Sequence, residues 1–279
     1  MAVKVSLINM KGGVGKSTLA VNLGWYFAFD SKRVLLVDLD PQFNASQYLL
    51  GTAEYERALR RGQRTIWDVF EQSTRTPQVP SGRFDIHEAI YPRASISSGG
   101  GKIDVILARL ELALSLKTPY PQKERELSQA ILDLEGEYDL VLIDCAPTES
   151  ILTTAAYLSS NYLLVPVKPE YLSTIGLPLL VQSMQEFRNS SRAQELQLAG
   201  VVFNATTDYA PEEMLAKAEV RQIAEQNQWY VFDAEVPYSR SFPRSARSGV
   251  SIFGTRYTRR AQMARFARFA LEFAQRVHL

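Results

Sequence analysis

The sequence has 279 residues, a single cysteine at Cys145, and no long apolar run free of charge. One cysteine excludes a disulfide scaffold and is typical of a protein in a reducing cytoplasm. The longest uncharged apolar run, residues 157–167, contains Asn161 and Pro166 and is shorter than the roughly 18 residues of a membrane span. The apolar stretch at the N-terminus is too short for a signal peptide, so we expect a cytoplasmic protein.

The balance of charge is uneven along the chain. Hydrophobic residues make up 46% and charged residues 22%, which excludes general disorder, and the net charge is only +1. From Arg240 to Leu279, however, nine arginines, no lysine and one acid (Glu272) give +8, whereas the rest has 22 basic and 29 acidic residues. This arginine-rich end is either a polyanion-binding face or a solvated helix that pairs with an acidic body.

Short apolar runs alternate with amphipathic stretches through most of the chain. The apolar runs predict strands at 3–8, 33–39, 138–143, 162–167, 199–203 and 229–232. The periodic stretches predict helices at 17–29, 175–187 and 211–226. This alternation indicates an α/β fold, with a mainly parallel twisted sheet covered by helices on both faces. We expect one domain over residues 1–279.

Residues 51–101 differ in composition, because they are rich in glycine, proline and serine. They predict an irregular insertion with short helices, one of them at Thr65–Glu71, and a mobile loop near residues 95–101. The segment has too few apolar residues for a core of its own.

A glycine-rich loop follows the first predicted strand and opens the first predicted helix. This order predicts a phosphate-binding loop, in which backbone N–H groups and the positive helix end surround phosphates. Its lysine reaches the terminal phosphates and its serine binds Mg²⁺. The residues are Lys11, Gly12, Gly13, Val14, Gly15, Lys16, Ser17 and Thr18.

The loop departs from the usual pattern, since Met10 stands where a glycine is expected and Lys11 adds a second lysine. This form resembles the deviant Walker A box of the ParA/MinD family of P-loop ATPases. Residues 34–42, 138–147, 164–170 and 200–204 are similar to later motifs of that family. The resemblance covers about residues 1–255 and is weak only over 52–98.

Three aspartates, Asp38, Asp40 and Asp144, end predicted parallel strands, at the edge where open α/β sheets bind ligands. Asp144 and Asp38 suit a Mg²⁺ site together with Ser17, and Asp40 suits the positioning of an attacking water.

The resemblance implies further roles. Lys11 would reach the nucleotide of a partner subunit in an ATP-dependent homodimer. Asn204 would bind adenine, and Pro237 would lie in a loop beside the base. Only ten residues precede Lys11, so a helix-turn-helix domain is not expected there, and one cysteine excludes the iron–sulfur members. The resemblance is to short ParA-type ATPases, which a ParB-like or cargo-adaptor protein stimulates.

Residues 255–279 predict a long helix whose phenylalanines pack on the body, with arginines beside them, whereas the arginines upstream predict a loop. The resemblance implies non-specific, nucleoid-associated DNA binding through arginines of this end: Arg244, Arg247, Arg259, Arg260, Arg265 and Arg268. Three alternatives stay open: a merely structural helix, a MinD-like membrane contact, and a nucleotide-dependent scaffold with little turnover. Membrane binding is disfavoured because residues 275–279 are too little amphipathic to anchor alone.

Overall fold

The sheet is built from short strands of aliphatic residues. The computed structural model describes residues 1–71, 84–96, 99–116, 123–170, 173–190, 196–207, 210–256 and 258–279. The strands are β1 Val3–Leu7, β2 Arg33–Leu39, β3 Ile90–Ser95, β4 Lys102–Ile106, β5 Leu140–Cys145, β6 Tyr162–Val167, β7 Gln197–Thr206 and β8 Val236–Pro237. Every residue of β5 is buried, as expected for a strand covered on both faces.

The strand order is β3-β4-β2-β5-β1-β6-β7-β8. All neighbouring strands are parallel except β3, which runs antiparallel to β4. The predicted α/β class, with a mainly parallel sheet, is therefore confirmed. The register of β2 against β5 places Asp38 beside Asp144, so two acids meet at the carboxyl edge of the sheet.

Helices connect and cover the strands. They are α1 Lys16–Phe29, α2 Asn44–Leu50, α3 Thr52–Arg60, α4 Ile66–Glu71, α5 Glu126–Leu132, α6 Ile151–Leu158, α7 Ser173–Ser190, α8 Pro211–Gln226, α9 Ser241–Arg247 and α10 Arg260–Val277. Short 3-10 turns cover Ile86–Ala89, Leu110–Leu116 and Lys123–Arg125. The predicted helices at 17–29, 65–71, 175–187 and 211–226 correspond to α1, α4, α7 and α8.

Alternate residues of each central strand face two separate cores. Leu35 and Val37 of β2 belong to a core with residues of α4–α8, whereas Leu36 belongs to a core that includes α1 and α10. The predicted apolar face of the last helix is confirmed, because its phenylalanines and valine are at most 1% exposed: Phe266, Phe269, Phe273 and Val277. Among the described helices, none is both long and apolar enough to cross a membrane.

Four expectations need correction. The described part of residues 51–101 is more regular than predicted, since α3 and β3 lie there besides the expected α4, and β3 pairs with β4 at one side of the sheet. Residues 97 and 98 of the predicted mobile loop lie outside the described residues. Residues 229–232 form a single bridge, from Val231 to Val201, and the last strand is β8.

The other two corrections concern the arginine-rich end. Residues 241–247 form α9 and not a loop, because Pro243 falls in the first turn, where its missing N–H costs nothing. The last helix begins at Arg260 and not at Thr255, because Arg259 has extended backbone angles. Arg256 and Arg259 therefore precede α10.

Candidate nucleotide site

The glycine loop lies between β1 and α1, at the carboxyl edge of the sheet. Gly13 and Gly15 have φ angles of 75° and 94°, in the left-handed region that favours glycine. Gly15 directly precedes α1, so the first N–H groups of that helix open into the loop. The result is a concave backbone with a positive helix end, suited to bind phosphate oxygens.

Lys16 lies within this loop with only 6% of its surface exposed. Its Nζ donates to the carbonyl oxygens of Asn9 and Lys11, both at 3.1 Å. Burial lowers the pKa of Lys16, and the nearby Asp144 carboxylate opposes that shift. The ammonium therefore lies among acceptors that it can exchange for phosphate oxygens.

Asp38 and Asp144 are both fully buried side by side at the ends of β2 and β5. Burial raises the pKa of Asp38 to about 7, although this carboxylate accepts hydrogen bonds from Ser46 N at 2.8 Å, Ser46 Oγ at 2.7 Å and Asp40 N at 3.1 Å. Burial also raises the pKa of Asp144 well above its usual range, and the Asp38 charge adds to this rise. Two such carboxylates favour a proton or a cation between them.

The two acids are not equally placed to hold Mg²⁺. The buried carboxylate of Asp144 accepts no hydrogen bond of good geometry among the described residues and faces the Ser17 hydroxyl, which opposes the rise of its pKa, whereas Asp38 is already bound by three donors. The described residues hold no group of three or more His, Cys, Asp or Glu side chains arranged around a metal. A buried carboxylate with open oxygens beside a phosphate-binding loop fits Mg²⁺, because this ion keeps several waters and takes its remaining ligands from one or two carboxylates and substrate phosphates.

A cleft of about 730 Å³ opens above the loop. Its walls include loop glycines, Ser17, Thr18, Asp40 and, from the arginine-rich end, Arg247. Asp40 is 6% exposed, and its Oδ1 accepts a hydrogen bond from Gln42 N at 2.9 Å. The structure thus brings Lys16, Ser17, Thr18 and Asp40 to one cleft, with the Asp38–Asp144 pair at the adjacent strand ends.

Lys11 lies at the rim of the loop and pairs with Glu170, which follows β6. The distance from Lys11 Nζ to Glu170 Oε2 is 3.3 Å, and Lys168 contacts the other oxygen of the same carboxylate. The Lys168 contact and then the Lys11 contact lower the pKa of Glu170. In this state Lys11 is held by its own chain.

The side chain of Asn204 contacts the phosphate-binding loop. Its Nδ2 donates to Val14 O at 2.7 Å, and a Cβ at Gly15 would lie only 2.0 Å from that nitrogen. Gly15 is therefore required by the close approach of this amide as well as by its φ angle. Pro237 lies apart, in a hollow of about 320 Å³ that Thr206, Tyr238, Arg259 and Arg265 also line.

Six of the nine arginines of the C-terminal end line two hollows. The first, of about 780 Å³, which we call the arginine hollow, is lined by Arg240, Arg244, Arg247 and Arg256 and by no acidic residue. The second, of about 170 Å³, is the mixed hollow, where Asp233 and Glu235 lie with Arg265 and Arg268. Arg260 is exposed at the start of α10. The four arginines around α9 are thus grouped without an acid in their hollow, whereas those of the mixed hollow lie beside carboxylates.

The chain matches known nucleotide-binding proteins over most of its length. The sequence profile of a family described as an AAA domain matches residues 2–198. The chromosome partitioning protein ParA of Caulobacter vibrioides is 30% identical over 238 residues, which are 84% of this chain and 79% of that protein. The chain belongs to the ParA/MinD family of P-loop ATPases. The family predicted from the deviant loop is therefore confirmed.

One further comparison agrees with the family and another with the fold. The chromosome-partitioning ATPase Soj of Treponema pallidum is 29% identical over 247 residues, covering 88% of this chain and 87% of that protein. A solved structure of a McdA variant of Cyanothece in complex with ATP superimposes with a TM-score of 0.78. It is 17% identical and covers all of this chain and 97% of that one, so it supports the fold.

The sequence did not predict three contacts of this ParA/MinD-family site. Glu170 pairs with Lys11, Asn204 donates a hydrogen bond to the glycine loop, and Arg247 lines the cleft wall. Each of them joins residues more than 150 positions apart, and no local pattern marks such a pair. The available signal was that Asn204 directly follows one predicted strand and Glu170 lies three residues after another, which placed both near the ligand edge.

Proposed function

We propose that this chain is a ParA-like ATPase that binds ATP with Mg²⁺, dimerises around it, binds DNA without sequence preference and hydrolyses ATP on stimulation by a partner. The observation that supports it most is the buried Asp38–Asp144 pair next to the glycine loop, with Lys16 and Asp40 at the same cleft. Such a cycle would position a plasmid, a chromosome or another large cargo on the nucleoid.

Each residue of the cleft has a part in this chemistry. The loop N–H groups from Gly12 to Thr18 and the Lys16 ammonium bind the phosphates. Ser17 and Asp144 would hold the metal, directly or through water, and Asp38 would add negative charge beside it while it fixes Ser46 at the start of α2. Mg²⁺ itself neutralises charge on the phosphate oxygens.

Asp40 lies in the cleft with one oxygen held by Gln42 N. In the proposed reaction its carboxylate accepts a hydrogen bond from the water that attacks the γ-phosphorus, and the bond to the ADP oxygen breaks. Asn204 binds the adenine edge after exchanging its contact with Val14, and the hollow beside Pro237 takes part of the base.

Dimerisation engages Lys11. In the proposed dimer, Lys11 exchanges Glu170 for the phosphates bound by the partner subunit, where a cation supplied in trans stabilises the transferring phosphoryl group. ADP lacks the γ-phosphate that completes this contact, so the dimer depends on ATP.

DNA is the proposed polyanion for the arginine-rich end. The four arginines of the arginine hollow, assisted by Arg259, Arg260, Arg265 and Arg268, contact phosphates and release counterions. Membrane attachment is less favoured, because the phenylalanines of α10 (Phe266, Phe269 and Phe273) are buried in the core, which leaves Leu271 as its exposed large apolar side chain.

Two measurements test this function. Phosphate release with and without Mg²⁺ separates an ATPase from a nucleotide-dependent scaffold, for which no turnover is expected. Binding to unrelated DNA duplexes with ATP, ADP or no nucleotide, in parallel with sedimentation on anionic vesicles, separates DNA from membrane. Binding to vesicles and to no duplex would contradict the DNA assignment.

A further inference from the structure

A buried polar network joins the glycine-loop helix to the arginine-bearing helix. Asn22 of α1 donates from Nδ2 to Thr18 O and to the Tyr48 hydroxyl, both at 2.8 Å. The Tyr48 hydroxyl lies 2.6 Å from Ser245 Oγ of α9, and Ser245 Oγ lies 2.8 Å from Phe242 O. Since the serine hydrogen goes to Phe242 O, Tyr48 donates its own hydrogen to Ser245.

The same asparagine also fixes the segment after α9. Its Oδ1 accepts a hydrogen bond from Ile252 N at 3.0 Å, so both ends of the amide are satisfied. Asn22 is fully buried, Tyr48 is 5% exposed and Ser245 is 1% exposed. A buried network with its donors and acceptors paired holds its members in one arrangement, because breaking any link leaves a polar group unpaired.

Further contacts tie α2 to the end of α9. Arg93 donates from Nε to Leu49 O at 2.7 Å and from its terminal nitrogen to Gly249 O at 2.8 Å. A Cβ at Gly249 would lie 2.8 Å from the backbone of Leu50 and Gly51, so the two segments are in close backbone contact. The helices α2 and α9 are therefore joined at several points.

This joined unit borders both the nucleotide cleft and the arginine hollow. At the start of α2, Ser46 donates twice to Asp38, which belongs to the acid pair of the nucleotide site. On α9, Arg247 lines both the nucleotide cleft and the arginine hollow, and Arg244 lines the hollow. Tyr48 and Ser245 therefore form a continuous polar connection between α2, which carries Ser46, and α9, which carries the arginines.

We propose that the Tyr48–Ser245 hydrogen bond couples the nucleotide state of the cleft to the phosphate affinity of the arginine hollow. In this proposal Tyr48 positions α9 and its arginines. The nucleotide and the DNA both favour one arrangement of α2 and α9 over another. The proposal deepens the proposed function and rests on it, since it takes the ligand of the hollow to be the DNA backbone. Coupling of this kind is reciprocal, so DNA changes nucleotide affinity by the same factor.

The test compares the intact chain with Tyr48→Phe, which removes only the hydroxyl. The readout is the DNA affinity with saturating ATP divided by the DNA affinity with saturating ADP. Because both nucleotides are saturating, a variant that only binds nucleotide more weakly keeps the same ratio. We expect a ratio of at least about fivefold in the intact chain and a fall toward one in Tyr48→Phe. Ser245→Ala should lower the ratio similarly, and the double variant should lower it no further.

The control is Tyr157→Phe. Tyr157 is 1% exposed, and its hydroxyl lies 2.9 Å from Ser183 Oγ in the core on the opposite face of the sheet. This variant removes the same kind of tyrosine–serine hydrogen bond outside the network, so we expect it to keep the intact ratio. A ratio lowered equally in Tyr157→Phe would mean that lost stability, not lost coupling, causes the effect, and would overturn the proposal.

Hydrogen exchange provides a second readout that needs no DNA. In the intact chain, ATP with Mg²⁺ should slow amide exchange in residues 241–252, and in Tyr48→Phe this response should be lost. An intact ratio in Tyr48→Phe would overturn the coupling while leaving the proposed function in place. If the intact chain binds no DNA in any nucleotide state, the proposed function itself fails, and the coupling fails with it.

Discussion

Replacing Arg244 by alanine should change how DNA binding responds to salt. The arginine hollow presents four arginines and no acid, so one hollow neutralises about four phosphates and a dimer about eight. At about 0.9 per phosphate, the slope of log affinity against log salt is then roughly −4 for one hollow and roughly −7 for two. Between 50 and 200 mM salt, affinity should fall by about two orders of magnitude for one hollow and about four for two.

Arg244→Ala removes one phosphate contact from each hollow, so the slope should become less steep by about one for one hollow and about two for a dimer. The assay is fluorescence anisotropy on two unrelated duplexes across that salt range, with ATP and Mg²⁺ present. Both duplexes should weaken equally, since phosphate contacts carry no sequence information.

Two variants calibrate the result. Arg60→Ala makes the same change of net charge at a side chain that is 76% exposed, pairs with Glu56 and lies outside the hollow, so its slope should stay unchanged. Arg268→Ala should have a smaller effect than Arg244→Ala, because Asp233 and Glu235 share the mixed hollow with it. Equal slopes for Arg244→Ala and Arg60→Ala would refute the location of the contact.

Three further predictions concern the cleft and a surface histidine. Lys16→Ala should lose ATP binding in calorimetry, because the buried ammonium that faces the phosphates is gone; binding within a few-fold of the intact chain would contradict the phosphate-loop assignment. Asp40→Ala should bind ATP and dimerise in sedimentation but release almost no phosphate, whereas lost affinity would move Asp40 to the Mg²⁺ site. His87 donates to or accepts from Glu137 Oε1 at 2.8 Å and Asp85 Oδ1 at 2.7 Å, and these contacts raise its pKa. Because the folded pKa lies above the unfolded value, the stability that His87 adds is fully present below about pH 6.5 and is lost as pH rises through the folded pKa. Urea unfolding of the intact chain and of His87→Gln should therefore differ more at pH 6 than at pH 8, and a constant difference would contradict this role.

Local patterns in the sequence were enough to predict the centre of the sheet and the core of the site. The apolar runs before Asp38 and Asp144 and the glycines before Lys16 each reflect a backbone requirement that is satisfied within a few residues. The helix α8 was predicted at its observed bounds because Pro211 is a first-turn residue and the apolar period is regular.

The sequence was less informative where tertiary contacts decide the structure. Strand β4 was missed because Lys102 and Asp104 interrupt its apolar residues; in the fold Asp104 is buried and accepts a hydrogen bond from the Tyr138 hydroxyl at 2.9 Å. Helix α9 was missed because its serines and Pro243 are typical of loops, yet Ser245 is held by Tyr48 from a distant segment. Both elements depend on partners that no local window contains.

Both edges of the sheet carry a proline. Pro92 lies in β3, where the register with β4 shifts between Pro92 and Ala94, and Pro237 ends the two-residue strand β8. Proline has no N–H that could donate a hydrogen bond to an additional strand. A short or irregular edge strand therefore pairs poorly with the strands of other molecules. Copies of this chain at high concentration can therefore contact each other without extending their sheets into aggregates, and replacing Pro92 by threonine should make concentrated solutions more prone to thioflavin-positive assembly.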